Sequence, residues 1–222
     1  STRRRRKAAD FLTIKSRLDM DKKLLWIGGG ILLLLGLAAV LSVIFASPPS
    51  FRGTSYAEPF PQALDFVLTQ ADGGEFRLYD LKGRIVLLFF GYTSCPDVCP
   101  TTLAEMKLLM NELGDAAERV QVVFISVDPD RDTPDKIQAY ASNFYPTFLG
   151  LTGSQTELEP VWQGYSIFRE EVQSDSAFGV IVNHTARLFL VDAQSNMRLS
   201  YAYGTPVADI AHDIELLLRL EP

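Results

Sequence analysis

Residues 24–46, "LLWIGGGILLLLGLAAVLSVIFA", carry no charge. At ~1.5 Å rise per residue, about 20 apolar residues in a helix cross a bilayer. Few soluble cores hold so long an apolar stretch beside a basic run. A cleaved signal peptide is the competing explanation, but its apolar region is usually about 7–15 residues with small residues at the cleavage site. Here the run is longer, and Ile44–Phe45–Ala46 fits such a site poorly. The sequence therefore predicts a transmembrane anchor over 24–46.

Charge supports an orientation. Residues 1–23 balance to +6 and the remainder to −12, a split hidden by the net −6. The positive-inside rule then leaves the basic tail, 1–23, inside and the acidic body outside. The membrane expected is the cytoplasmic membrane of a bacterium or the mitochondrial inner membrane, with the body in the periplasm or the intermembrane space. A basic tail before an acidic body points away from nucleic acid. Trp26 is placed for the inner interface, and Gly28–Gly29–Gly30 would allow close helix approach. Residues 47–61 are rich in Pro, Ser and Gly and read as a linker.

The body, 62–222, alternates strands and helices. "DFVLTQADGGEFRLYDL" reads as a hairpin turning at Asp72–Gly74. "RIVLLFFGY" and "VQVVFISVD" are continuous apolar runs, as strands buried on both faces require. "TLAEMKLLMNEL" sets Leu103, Met106, Leu109, Met110 and Leu113 on one helical face. Thr133 and Pro134 form a helix start. "FLGLTG" is expected as a short strand. "SQTELEPVWQGYSIF" is expected as a helix irregular at Pro160. "VIVNHTARLFLVDAQSNMRLSYAYG" is expected as a strand–turn–strand unit before a final amphipathic helix. This order predicts an α/β fold, a mixed sheet with helices on both faces.

The only cysteines, Cys95 and Cys99, follow the first buried run in "GYTSCPDVCPTT". Ligands gather at such carboxyl ends of strands in open α/β sheets. A three-residue spacer closes a short loop, so a purely structural disulfide gains little. A redox pair is stronger, since a helix start favours the thiolate, although the usual motif is CxxC. A metal site needs a third ligand. His212, in the last helix, reads as a surface residue. His184, in "VIVNHTARLFLV", lies where the sheet can bring it to the cysteines. Two thiolates and an imidazole suit a soft ion, and three-coordinate Cu(I) is the economical reading; zinc usually asks for four ligands. Met106 and Met110 belong to the apolar stripe. Asp97 reads as a helix-start carboxylate. The run Asp128–Asp132 fails the calcium-loop pattern, with Thr133 and Ala139 at its sixth and twelfth positions. Asp128 itself ends a buried strand on the edge that holds the cysteines.

"GYTSCPDVCPTTLAEM", "ISVDPDRDTPDKI", "LGLTG" and "VIVNHTARLFLVD" occur in the order and spacing of the SCO/SenC family. The sequence resembles that family from about Phe60 to Pro222. The resemblance implies a thioredoxin-like fold and copper, Cu(I) and also Cu(II), held by Cys95, Cys99 and His184. It implies a role in assembling the CuA centre of cytochrome c oxidase, with subunit II as the partner, and reduction of the oxidase cysteines before metallation. Asp128, matching the family's "VDP" aspartate, is expected near the copper. Ser94 stands where many members have His, and Asn183 where many have Asp. Asp97, Asp128 and Asn183 are thus expected around the ligands, where such groups tune affinity and redox poise.

Overall fold

The computed structural model describes Trp26 and residues 28–42, 50–173 and 179–220. Residues 28–42 are helical. Among the described residues no helix is long and apolar enough to cross a membrane. The rest of the 24–46 run, and all of 1–23, lie outside the described residues. The chain divides into two compact units, Ser1–Ser50 and Phe51–Pro222.

The second unit is built on a six-stranded sheet in the order β1-β10-β9-β4-β5-β6. Its strands are β1 (Thr54–Ser55), β4 (Ile85–Gly91), β5 (Val120–Ser126), β6 (Leu149–Leu151), β9 (Arg187–Val191) and β10 (Met197–Ala202). β4, β5 and β6 run parallel. β9 is antiparallel to β4, β10 to β9, and β1 to β10. Every residue of β4 and β5 is buried, which explains why neither alternates polar with apolar. Two small hairpins complete the strands: β2 (Val67–Thr69) with β3 (Glu75–Arg77), and β7 (Arg169–Gln173) with β8 (Val180–His184).

Helix α1 (Val98–Leu113) buries all five stripe residues and packs on α4 (Val207–Leu220). Helix α2 (Pro134–Phe144) starts as expected, its Thr133 hydroxyl accepting from the Lys136 N–H. Tyr140 of α2 meets Phe124, which stacks on Phe89 on the α1 side of the sheet. The opposite face carries α3 (Gln155–Gly164), opened by a Ser154–Glu157 capping box and running through Pro160. Tyr165, just beyond α3, packs on Phe90 and Phe189. Helices therefore cover both faces. Each fully buried large apolar side chain contributes ~1.5–3 kcal/mol of transfer free energy.

One expectation changes. The stretch read as strand–turn–strand is three strands, because the chain leaves the ladder at Thr185–Ala186. β8 pairs outward with β7, a charged strand without apolar alternation, while β9 enters the main sheet.

Within the stretch read as a linker, Thr54–Ser55 pairs with β10. Asp213 of α4, fully buried, accepts from the N–H groups of Arg52 and Gly53, both at 2.8 Å, and from the Tyr201 hydroxyl at 3.2 Å. Gly53 is needed there, since a Cβ would lie 2.5 Å from the Tyr201 ring. Removing a buried acceptor strands its donors. Asp213→Ala is expected to cost roughly 2–4 kcal/mol, read as a lowered urea midpoint.

Candidate metal centre

β4 ends at Gly91, and the next residues turn toward α1. The turn is held from outside. Buried Asp132 accepts from the Thr93 hydroxyl at 2.6 Å, from the Thr93 N–H, and from the Ser126 hydroxyl at 2.9 Å. Cys95 then lies before the helix start, its N–H donating to the Tyr92 carbonyl. Asp97 takes the N-cap position without a side-chain capping bond. Cys99, in the first turn of α1, is fully buried, whereas Cys95 is half-buried. Gly91 is what admits the Cys99 sulfur, because a Cβ there would lie 2.7 Å from it.

His184 arrives at the end of β8. Its Nε2 lies 3.7 Å from Cys99 Sγ, and its Nδ1 3.1 Å from the Thr185 carbonyl. A carbonyl only accepts, so Nδ1 carries a proton, and Nε2 is the ring nitrogen turned to the sulfurs. Tyr92 meets this ring edge-on at 5.9 Å and accepts from the Val182 N–H at 3.2 Å. The ligand atoms of Cys95, Cys99 and His184 all lie within 4.8 Å of one another. Two sulfurs and an imidazole nitrogen form a donor set that suits a soft ion.

The other expected residues occupy distinct places. Asp97 and Asn183 border the cavity of about 210 Å³ that Cys95 and His184 also line. Asp128 does not line it. Buried Asp128 pairs with Arg131, which donates at 2.7 Å to the Val180 carbonyl of β8 and lies 5.6 Å from the Tyr92 ring. Asp128 thus reaches the His184 hairpin through an arginine. Burial pushes the Asp128 carboxyl up, against the opposing pull of Arg131. Met106 and Met110 are core. His212 faces Asp213.

Sequence reasoning did not find Gly91, the Asp132–Thr93 bond or the Thr185 carbonyl. A glycine closing an apolar strand is a recognised sign of close approach. The other two depend on backbone geometry that no local pattern announces.

The two sulfurs differ in charge. A hydrogen bond from Cys99 lowers the Cys95 thiol to about 4, against the opposing effect of burial. A hydrogen bond with His184 and the backbone N–H groups of Asp97 and Cys99 act in the same lowering direction. Cys99 is pushed well above the usual thiol range by donating that bond, by burial, and by the Cys95 charge. One proton is therefore held between the sulfurs, on Cys99.

A thioredoxin-like domain carrying a Cys–Cys–His cluster at the carboxyl end of a central strand is the class that the fold and cluster define. The SCO1/SenC family model matches residues 55–219, and the chain belongs to that family. It is 36% identical over 130 residues to an SCO2-like protein of Rickettsia felis, covering 58% of this chain and 63% of that protein. It thus spans a little under two thirds of that relative's length. The structure of Bradyrhizobium japonicum ScoI with copper bound is 34% identical with a TM-score of 0.64, over 70% of this chain and 99% of that one. BsSco is 26% identical with a TM-score of 0.58, over 76% and 99%. Its structure is described as identifying a disulfide switch in a member of the Sco family of cytochrome c oxidase assembly proteins.

Alkylation reads the thiol asymmetry directly. Only a thiolate attacks iodoacetamide. In the metal-free reduced protein Cys95 should react first, at a rate nearly flat from pH 8 down to about pH 5, falling as pH drops through about 4. Cys99 should stay unmodified until the protein unfolds. Peptide mass mapping after timed quenching checks both.

Proposed function

We propose that this protein is a membrane-anchored copper chaperone that binds copper through Cys95, Cys99 and His184. The observation that carries this reading is the approach of two sulfurs and one imidazole nitrogen to within 4.8 Å. Cu(I) suits the two sulfurs, and the imidazole extends the same donor set to Cu(II). The copper-bound relative supports the choice of metal. The proposed client is the CuA centre of cytochrome c oxidase, through subunit II, a reading supported by BsSco's place among oxidase assembly proteins. Incoming client thiolates take over the coordination positions of Cys95 and Cys99, so transfer proceeds by ligand exchange without a change of copper valence or a free ion. Asp97 and Asn183 border the site, and Asp128 acts through Arg131 on the hairpin. The domains are proposed as 1–23 tail, 24–46 anchor, 47–61 linker and 62–222 copper-binding body. The anchor places the body outside the cytoplasm or in the intermembrane space and confines the search for a membrane-bound client to two dimensions.

A second reading rests on a half-buried Cys95 thiolate beside a buried Cys99 thiol. That pair suits a thiol:disulfide oxidoreductase. Cys95 would attack a client disulfide and Cys99 would resolve the mixed disulfide, leaving the client with two thiols and this protein with the Cys95–Cys99 bond. This reading needs no histidine.

X-ray absorption of the copper-loaded protein is expected to show two sulfurs and one nitrogen. His184→Ala should weaken Cu(I) binding by about tenfold or more, loss of a ligand costing at least as much as loss of its orienting partner. Absence of sulfur around the metal would sink the copper reading. Unchanged affinity in the variant would remove His184 from it, and full cellular function of that variant would favour the oxidoreductase. For the anchor, the full chain should remain with membranes through alkaline carbonate extraction, and a chain lacking residues 24–46 should be released.

A further inference from the structure

On the α3 face, the β9-β10-β1 half of the sheet floors a cavity of about 660 Å³. Its walls come from Leu64 and from Tyr165 and Ser166 beyond α3. Phe189 and Met197 make the floor apolar, and Arg187 belongs to the lining, its guanidinium bonded to Ser200 of the same lining. Volumes of ~300–1,000 Å³ with apolar walls and a few convergent polar groups are typical of small-molecule sites.

Arg187 is the chemical signal. Arg52, Arg77, Arg131, Arg169 and Arg198 each hold a carboxylate. Arg187 donates to the Ser200 hydroxyl at 3.1 Å and makes no ion pair among the described residues. No Asp or Glu lines the cavity. In a region whose balance is −12, Arg187 is half-buried and donates to a hydroxyl, whereas half-buried Arg84, which also lacks a carboxylate, is taken up by Gln121 and two backbone carbonyls. Tyr56, Thr185 and Ser200, each bearing a hydroxyl, line the cavity with it. The Arg187 charge favours the phenolate of Tyr56, although burial dominates and raises that group. A carboxylate accepts two parallel N–H bonds from a guanidinium, and hydroxyls complete its shell.

We propose that this cavity binds a small carboxylate with an apolar body, its anionic end on Arg187 and its body against Leu64, Tyr165 and Phe189. The site is separate from the cysteine cluster, though Thr185 borders it and also supplies the carbonyl that holds His184. The proposal does not depend on copper binding.

Equilibrium dialysis of the metal-free full chain in a neutral detergent, with 4-phenylbutyrate as probe, tests it. One saturable equivalent is expected. 4-Phenylbutanol, which keeps the body and lacks the charge, should bind about tenfold more weakly or worse. Arg187→Met should lose affinity for the acid to the same extent, and Arg187→Lys, which keeps the charge but not the two parallel bonds, should fall between that variant and the unaltered protein. The acid–alcohol comparison needs only the unaltered protein, so it decides even where a variant does not fold. No saturable binding, equal binding of acid and alcohol, or undiminished binding by a folded Arg187→Met protein would overturn the proposal. So would displacement of the probe at lower concentration by a peptide ending in a free apolar residue, which would make the occupant a protein terminus.

Discussion

Antiparallel pairing of β9 with β4 is the constraint on which the cluster depends. The register sets Phe89 opposite Leu188 and Leu87 opposite Leu190. The carboxyl end of one strand therefore lies beside the amino end of the other. Residues just after Gly91 and just before Arg187 are neighbours in space while 85 positions separate Cys99 from His184. A slip of one residue would turn every side chain of β9 to the other face. Leu188, Phe189 and Leu190 are all buried and apolar, so what resists the slip is close packing, since each would enter a slot shaped for a different side chain. The core thus fixes the position of a histidine that does not belong to it.

Around this frame, buried carboxylates act as fixed points for backbone and for an arginine side chain. Asp132 holds the Thr93 N–H, Asp128 holds Arg131, and Asp213 holds Arg52 and Gly53. Each buried oxygen replaces lost hydration with protein donors, as burial of charge requires. The first two acids lie after β5, so the parallel neighbour of β4 steadies both the cysteine turn and the histidine hairpin.

Much of this was legible in the sequence. Two continuous apolar runs announced β4 and β5, and the stripe from Leu103 to Leu113 announced the buried face of α1. Thr133–Pro134 marked the start of α2. The three residues of the cluster followed from a count, because the chain has two cysteines and His184 alone of its histidines adjoins a core strand. What stayed hidden was relational. β7 carries three charges in five residues and pairs only with β8, so no apolar period marks it. β1 is two residues long in a Pro- and Gly-rich stretch whose composition reads as linker. Asp128 was expected near the copper from its match to the family's "VDP" aspartate; it lies outside the cavity that Cys95 and His184 line and pairs with Arg131, which bonds the Val180 carbonyl. Asp132 looked like one acid of a loop, and only the fold gives it Thr93 and Ser126 as partners.

The separation of β7–β8 from the main sheet has a mechanical consequence. Both cysteines are tied to the rigid layer through β4 and α1, but His184 rides on a ribbon of its own. That ribbon is fastened by buried Val182 and by discrete bonds from Arg131, Arg169 and Tyr92. Local opening costs less than global unfolding where buried apolar contacts are few. The main-sheet pairs of β9 begin only after Thr185–Ala186, so none of the pairs that β9 makes with β4 involves the ribbon. The cluster is thereby assembled across two parts of the fold, its sulfurs on the six-stranded layer and its imidazole on the appended ribbon.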